Sequence, residues 1–366
     1  MRTVGVEEEL MLVDAKTGEP LAVSAPVLAS AALRGGTSGG AFEKELHQEQ
    51  LEFATRPLRD MAELRDEIVR WRAEARGYAA ESGALVAALA TSPLPVEPSR
   101  TRDSRYQWMA EQFALTAQEQ LTCGCHVHVA VASDEEGVGV LDRIRPWLYL
   151  LTAISANSPF WQGRDSGYGS YRSRVWNRWP SAGPYELFGS AERYHDRVRA
   201  MVATGVLCDP GMIYFDARLS HSYPTVEIRV ADVCLEPDTT VLVATLVRGL
   251  VETAARAWRD GEPAPRVPSG LLRLASWRAA RSGLRGPLVD PETMRPTSAE
   301  AALAALVRHT EAALADSGDL DRVRRGVAEH LARGGGADRQ RALHADGLRL
   351  DEVVRACARI TTEAVD

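Results

Sequence analysis

Gly124-Cys125-His126-Val127-His128-Val129-Ala130 is the segment on which the fold turns. Val127, Val129 and Val131 recur at period two, the signature of a short buried strand. Alternation then sorts the side chains. Cys123, Cys125, Val127 and Val129 point one way, while Gly124, His126, His128 and Ala130 point the other. Two imidazoles thus share a face with a glycine that lets another group approach closely. The plain reading is a pair of hydrogen-bonded core histidines, because most buried polar groups are simply satisfied. Four carboxylate-bearing segments elsewhere in the chain favour a site instead.

The bulk numbers narrow the choice of partners. A chain of 366 residues makes one large domain or two. With 45% apolar and 25% charged residues it has the composition of an ordinary globular protein. A net charge of −7 recommends neither nucleic acid nor an anionic membrane as partner. To hold a polyanion, such a protein needs local arginines or metal ions. No basic flank precedes an apolar run at the N-terminus, so no signal peptide is expected. No apolar run approaches the length of about 18 residues that a transmembrane helix needs. Five cysteines, an odd and sparse count, suit free thiols in a reducing, cytoplasmic setting.

Residues 3–13 alternate as a strand, with Thr3, Gly5, Glu7, Glu9 and Met11 on one face and Val4, Val6, Glu8, Leu10 and Leu12 on the other. A turn through residues 14–20 leads back as a hairpin. Residues 34–40 form a Gly-rich loop without P-loop spacing. Residues 61–89 carry a helical stripe of Leu64, Ile68, Trp71, Ala75, Tyr78 and Ala79. A short strand over 87–92, a helix over 103–120 and a buried helix over 141–157 are expected next. The Gly-, Ser-, Arg- and Trp-rich stretch 161–189 has no period and reads as a functional loop. A helix over 192–204, strands over 213–219 and 224–233, and a helix over 239–258 follow. Most of 270–361 is helical. The strands lie in the first two thirds, which predicts one α+β domain over 1–366: a sheet-rich core, 1–260, with a helical C-terminal layer, 261–366.

The acidic residues cluster. Glu7 and Glu9 project from one strand face, roughly 6.5–7 Å apart, and repel unless a cation or base sits between them. Glu8 then points into an apolar face and needs a partner of its own. Glu45, Glu49 and Glu52 are spaced four then three, one face of a helix. A strand could also carry them, but only with a bulge or a loop entry; the sequence leaves both open. Thr225, Glu227 and Arg229 share a strand face, with Asp216, Arg218 and His221 just upstream. That Glu–Arg pair reads either as an ion pair or as a metal ligand beside a phosphate clamp. Arg172, Arg174 and Arg178 stand among Tyr171, Trp176 and Trp179 in the aperiodic loop, which suits a substrate lid as well as a surface loop with stacked arginines.

Many carboxylates with few nitrogens suit the hard ions Mg²⁺ or Mn²⁺. Such ions would neutralise ATP phosphates: a unit-charge pair at about 4 Å is worth roughly 4 kcal/mol at an effective dielectric near 20. The run Cys123-x-Cys125-His126-x-His128 also permits a soft metal, but alternation sends thiols and imidazoles to opposite faces, against one tetrahedral Zn²⁺ site.

The order GVEEEL, ELHQEQLE, CGCHVHV, SYRSRVWNRWP, YPTVEIRVADV resembles the carboxylate–amine ligases of the glutamate–cysteine ligase type 2 family, within the glutamine-synthetase-like superfamily. The motifs run from residue 3 to about 260; the last hundred residues match by helical texture only. The resemblance implies a mostly antiparallel sheet curled into a funnel, with helices packed outside. It implies an ATP-dependent enzyme that activates a carboxylate as an acyl phosphate, which an amine attacks to give an amide. Glutamate as acyl donor and cysteine, or another amino acid or amine, as acceptor are the implied small-molecule substrates. Carried onto this sequence, Glu7, His126 and Glu227 would hold one Mg²⁺ or Mn²⁺. Glu9, Glu45 and Glu52 would hold another. Arg229 would clamp the transferring phosphoryl group, and Arg172 would meet phosphate or the acyl carboxylate. Arg174 would join them at the nucleotide, and His128 would support the metal or touch substrate.

Two other readings compete: a Zn²⁺ hydrolase built on His126, His128 and a glutamate, and a catalytically silent binding protein on the same fold. Oligomeric state stays open, with 141–151 or the C-terminal helices available as a homo-oligomer contact.

Overall fold

The computed structural model describes residues 1–33 and 42–363. The expected Gly-rich loop at 34–40 lies outside the described residues. Strand β1 spans Val4–Asp14, β2 Phe42–Lys44, β3 Gln50–Ala54, β4 Ala84–Ala87 and β5 Gly124–Ala130. The two-residue strands β6, Phe160–Trp161, and β7, Arg164–Asp165, make a separate small hairpin. Strands β8, Ala217–Leu219, and β9, Thr225–Asp232, complete the main sheet. Its order is β2-β3-β1-β5-β9-β8, with β4 continuing beside β1, and every ladder is antiparallel. The chain is thus an α+β protein, as the placement of its strands predicted, with the antiparallel sheet that the family resemblance implied.

The sheet has an apolar face and an acidic one. On the first, Val4, Val6, Leu10 and Leu12 of β1, Cys125, Val127 and Val129 of β5, and Val226 and Ile228 of β9 are all buried. Each such side chain is worth about 1.5–3 kcal/mol on burial. A one-residue slip would exchange them with the carboxylates, so burial pins the register. Helices Met61–Ala80 and Pro237–Arg259 cover this face. Behind them stand the C-terminal helices Ala299–Asp316, Leu320–Arg333, Gly336–Ala345 and Leu350–Glu363. One hydrophobic cluster runs from β1 into these last helices.

Several element boundaries differ from the sequence expectation. The helix expected to reach residue 89 stops at Ala80, because Gly83 takes φ +70° and turns the chain into β4. The strand therefore falls at 84–87 and not at 87–92. The helix over 103–120 breaks at Ala114, which adopts φ +45°, into Ser104–Phe113 and Leu115–Gln118. The buried helix begins earlier, at Asp134, where Ser133 accepts a hydrogen bond from the Glu136 amide. Pro146 then forces a tight 3-10 turn before Leu148–Ser155. Among the described residues no helix is long and apolar enough to cross a membrane.

Candidate active site

Register puts the acidic face together row by row. Glu7 of β1 stands opposite His126 of β5 and Ala54 of β3. Glu9 stands opposite Glu52. His128 stands opposite Glu227 of β9, which in turn faces Arg218 of β8. Glu45 enters from the loop between β2 and β3, so the acidic segment is a strand with a loop entry and not a helix. That loop is laced to residues 99–101: Thr101 Oγ1 donates to the Glu45 carbonyl at 2.6 Å, and the Ser99 amide donates to Glu49 at 2.9 Å. Glu49 is thereby spent on the loop and lies apart from the other two carboxylates.

Two constellations result. One ligand-capable atom each from Glu7, His126 and Glu227 lie within 4.8 Å of one another, and the same holds for Glu9, Glu45 and Glu52. His126 Nδ1 is 3.2 Å from Glu7 Oε2, while its Nε2 is buried without a hydrogen-bond partner among the described residues. His128 Nε2 is 3.1 Å from Glu7 Oε1, and its Nδ1 is 2.9 Å from Thr225 Oγ1. Arg218 Nε donates to Glu227 Oε2 at 2.7 Å, and Arg229 Nη1 pairs with Glu227 Oε1. The Gly124 amide donates to Glu9 at 2.6 Å.

The electrostatics divide the carboxylates. Burial pushes Glu52 well above the ordinary carboxyl range, helped by the hydrogen bond to Glu45 and its charge. Glu9 is raised for the same reasons, burial first and Glu45 second. Burial alone would also raise Glu7, but hydrogen bonds from His126 and His128 hold it well below. Glu227 is likewise lowered against its burial, by Arg229 and Arg218. His126 is lowered by burial and by Arg229. The set Glu9, Glu45, Glu52 is therefore a like-charge cluster short of positive charge, and a divalent cation would relieve it.

These residues line a cavity of about 380 Å³, joined by Gln50, Arg105, Tyr106, Gln120, Trp176, Trp179, Tyr214, Arg218 and Arg229. Trp176 and Trp179 come from the aperiodic loop, which does lie against the carboxylates. A second cavity of about 590 Å³ shares Glu7, Glu43, His128 and Tyr223 with the first. The rest of its wall, including Val6, Ala54, Pro57, Ala130 and Pro224, is largely apolar and, among the described residues, contains no lysine or arginine.

Two predicted arginines sit elsewhere. Arg172 is buried one layer behind the cavity wall, 3.9 Å from Asp232 and with its guanidinium 5.5 Å from the Trp176 ring. Gly124 makes room for it: a Cβ there would sit 2.9 Å from Arg172 Cζ and closer still to Nη2. Arg174 lies outside the cavity, near Tyr168, Arg273 and Asp216. Asp232 was missed by sequence reading. Simple alternation sends it to the apolar face, but the β5–β9 register shifts between Cys125 and Val127, and the extra β9 residue turns Asp232 toward the site side opposite Gly124. There it accepts from the Asn157 amide, Ser158 Oγ and Ser170 Oγ at 2.9, 2.7 and 2.8 Å, tying down the loop that carries Arg172. Arg105 and Tyr106, on a helix the sequence gave no reason to place here, were missed as well.

Carboxylates, imidazoles and arginines thus meet on one face of an antiparallel sheet, and comparison with known proteins gives the family. Residues 3–359 match the family described as glutamate–cysteine ligase family 2 (GCS2). A "Putative glutamate–cysteine ligase 2-1" from Streptomyces avermitilis is 64% identical over 99% of both chains. A Streptomyces coelicolor protein named in the same way is 62% identical over the whole of both. The protein belongs to glutamate–cysteine ligase family 2, and is an ATP-dependent, amide-forming ligase. Among solved structures, the glutamate–cysteine ligase of Francisella tularensis in complex with AMP superposes with a TM-score of 0.72 at 13% identity, covering 99% of this chain and 88% of that one. The bifunctional glutathione synthetase of Pasteurella multocida gives 0.72 at 14%, covering 99% of this chain and 52% of the other. At those identities the likeness concerns the fold alone.

Proposed function

We propose that the protein joins the side-chain carboxylate of glutamate to the amine of cysteine or a related amino acid or amine, at the expense of ATP. Residues 1–366 act as one catalytic unit. The observation that carries this reading is the pair of three-ligand clusters, side by side on one sheet face and facing Arg229.

The donor set fits Mg²⁺ or Mn²⁺. It is rich in oxygen, it is short of positive charge at Glu9, Glu45 and Glu52, and it leaves His126 Nε2 buried without a hydrogen-bond partner among the described residues. Glu7, His126 and Glu227 would hold one ion and Glu9, Glu45 and Glu52 the other. Bound there, divalent cations supply charge neutralisation for the phosphates. The largely apolar cavity beyond Glu7 and His128 suits the nucleoside of ATP, which directs the phosphates toward the carboxylate rows. Arg229, already oriented by Glu227 and 5.8 Å from the Trp176 ring, meets the charge on the transferring phosphoryl group. The glutamate carboxylate attacks the γ-phosphorus to give an acyl phosphate and ADP. The amine then attacks the acyl carbon, and phosphate leaves. Trp176 and Trp179 keep water from the acyl phosphate. Arg172, set back behind Gly124, supports this end of the site without touching substrate. Five free cysteines suit a reducing, cytoplasmic setting.

ADP release screened over amino-acid pairs with Mg²⁺ or Mn²⁺ tests the reading. Release that needs glutamate and an amine together is expected. Release that is indifferent to the amine, or stoichiometric Zn²⁺ with amide hydrolysis, would remove it.

A further inference from the structure

The rows of the sheet continue past the carboxylates. Along β1 the site face runs Gly5, Glu7, Glu9, Met11. Met11 pairs with Gln50 of β3, one two-residue step beyond the Glu9–Glu52 pair. The apolar cavity lies at the Gly5 end. Gln50 therefore marks the opposite end, beside the Glu9, Glu45, Glu52 set.

Gln50 and Gln120 are 2% and 3% exposed. Both brace Thr122: Gln50 Nε2 donates to its carbonyl at 2.8 Å, and Gln120 Nε2 to its hydroxyl at 2.9 Å. A carbonyl can only accept, so the Gln50 amide is fixed with nitrogen toward Thr122 and oxygen away from it. Neither Oε1 has a hydrogen-bond partner among the described residues, nor does the Trp179 indole N–H, and all three residues line the cavity. Leaving a buried acceptor unpaired costs its full desolvation, and native proteins keep such groups chiefly where something else satisfies them.

The chemistry of the missing partner follows. A carboxamide oxygen repels phosphate and carboxylate oxygens and takes an N–H. The Gln50 oxygen beside a row of carboxylates suits a cationic nitrogen, and Gln120 can present its own oxygen alongside, because the Thr122 hydroxyl accepts from its Nε2. The Trp179 N–H offers a donor for a carboxylate of the same ligand. We infer that Gln50 and Gln120 are specificity-determining residues that accept hydrogen bonds from the α-ammonium of the acyl donor, so that the enzyme requires an amino acid and discriminates against a plain dicarboxylate. The inference rests on the ligase reading above.

L-Glutamate and glutarate differ only in that amino group, so their ratio of kcat/KM isolates it. With ATP, Mg²⁺ and a fixed amine, the wild type should favour glutamate by about ten- to a hundredfold, the scale of a hydrogen bond to a charged group. Gln50→Met and Gln120→Met keep side-chain volume. Each should cut the preference about tenfold, chiefly through the KM for glutamate. A purely structural role would lower turnover of both donors together and leave the ratio alone. Equal use of the two donors by the wild type, or a preserved ratio in a folded variant, overturns the inference. Should Gln50→Met fail to fold, Gln120→Met carries the test, since its amide braces only a hydroxyl. Absence of ADP with every donor would defeat the ligase reading instead. Calorimetry of glutamate and glutarate with Mg²⁺ and a non-hydrolysable ATP analogue then decides: tighter glutamate binding, weakened in the variants, sustains the inference, and equal binding ends it.

Discussion

Glu8 and Glu9 are neighbours on β1, both buried, yet they face opposite environments. Behind the sheet, Glu8 is matched by Arg72 through two hydrogen bonds of 2.8 and 2.7 Å, and Thr240 Oγ1 donates a third at 2.6 Å. Arg72 spends its remaining donors on the Cys234 and Leu235 carbonyls, at 2.7 and 2.9 Å. Every polar atom there has a partner, and the partners come from the two helices and the loop that close the core. In front, Glu9 has one backbone donor, a histidine nitrogen 3.8 Å away, the charge of Arg172 acting from behind the cavity wall, and carboxylates for company. Completeness marks a group that serves folding. A deliberate shortage of positive charge marks one that waits for something from outside.

That contrast can be broken in graded ways. Removing a front ligand should have the largest effect: Glu227→Ala or His126→Ala is expected to abolish ADP formation while circular dichroism stays native. Glu52→Gln should lose activity too, yet melt no lower than the wild type in metal-free buffer, because it removes repulsion as well as a ligand. On the back face, Arg72→Ala leaves Glu8 buried and alone, so denaturant unfolding should show a loss of about 3–5 kcal/mol. Replacing both partners by apolar residues of similar volume should cost far less. Cation binding separates the faces next. Mg²⁺ or Mn²⁺ at a hundred times its dissociation constant should stabilise the wild type by about 2.7 kcal/mol, and a Glu9→Gln chain by clearly less. The smallest expected change is Gly124→Ala, whose Cβ would collide with Arg172. A stability loss of about 1–3 kcal/mol is expected, with reduced turnover. Wild-type values for both would mean that the Arg172 position is not critical.

What the sequence alone could supply follows from how local each feature is. Strict alternation in residues 3–13 and 124–130 fixed which groups share a face, and the need of Glu8 for a partner was plain although Arg72 could not be named. Spacing of four and three left Glu45 and Glu52 undecided between helix and strand, because the resolving contacts run from the Glu45 loop to residues 99–101. The Asp232 reversal depends on one extra residue in β9, and no propensity signals it. Gln50 and Gln120 were overlooked because a neutral amide says nothing about itself until its hydrogen bonds can be counted. Pro146 and Gly83 are breakers legible in the sequence, and the expected helices over 141–157 and 61–89 run past them.

The order of the ligands along the chain has a consequence for biogenesis. Glu9, Glu45 and Glu52 have all been synthesised by the end of β3, whereas the other cage lacks a member until β9 emerges with Glu227. A nascent polypeptide stalled before β8 could therefore chelate at most one of the two ions. On the proposed assignment, the second ligand set would be complete only when the last strand joins the sheet.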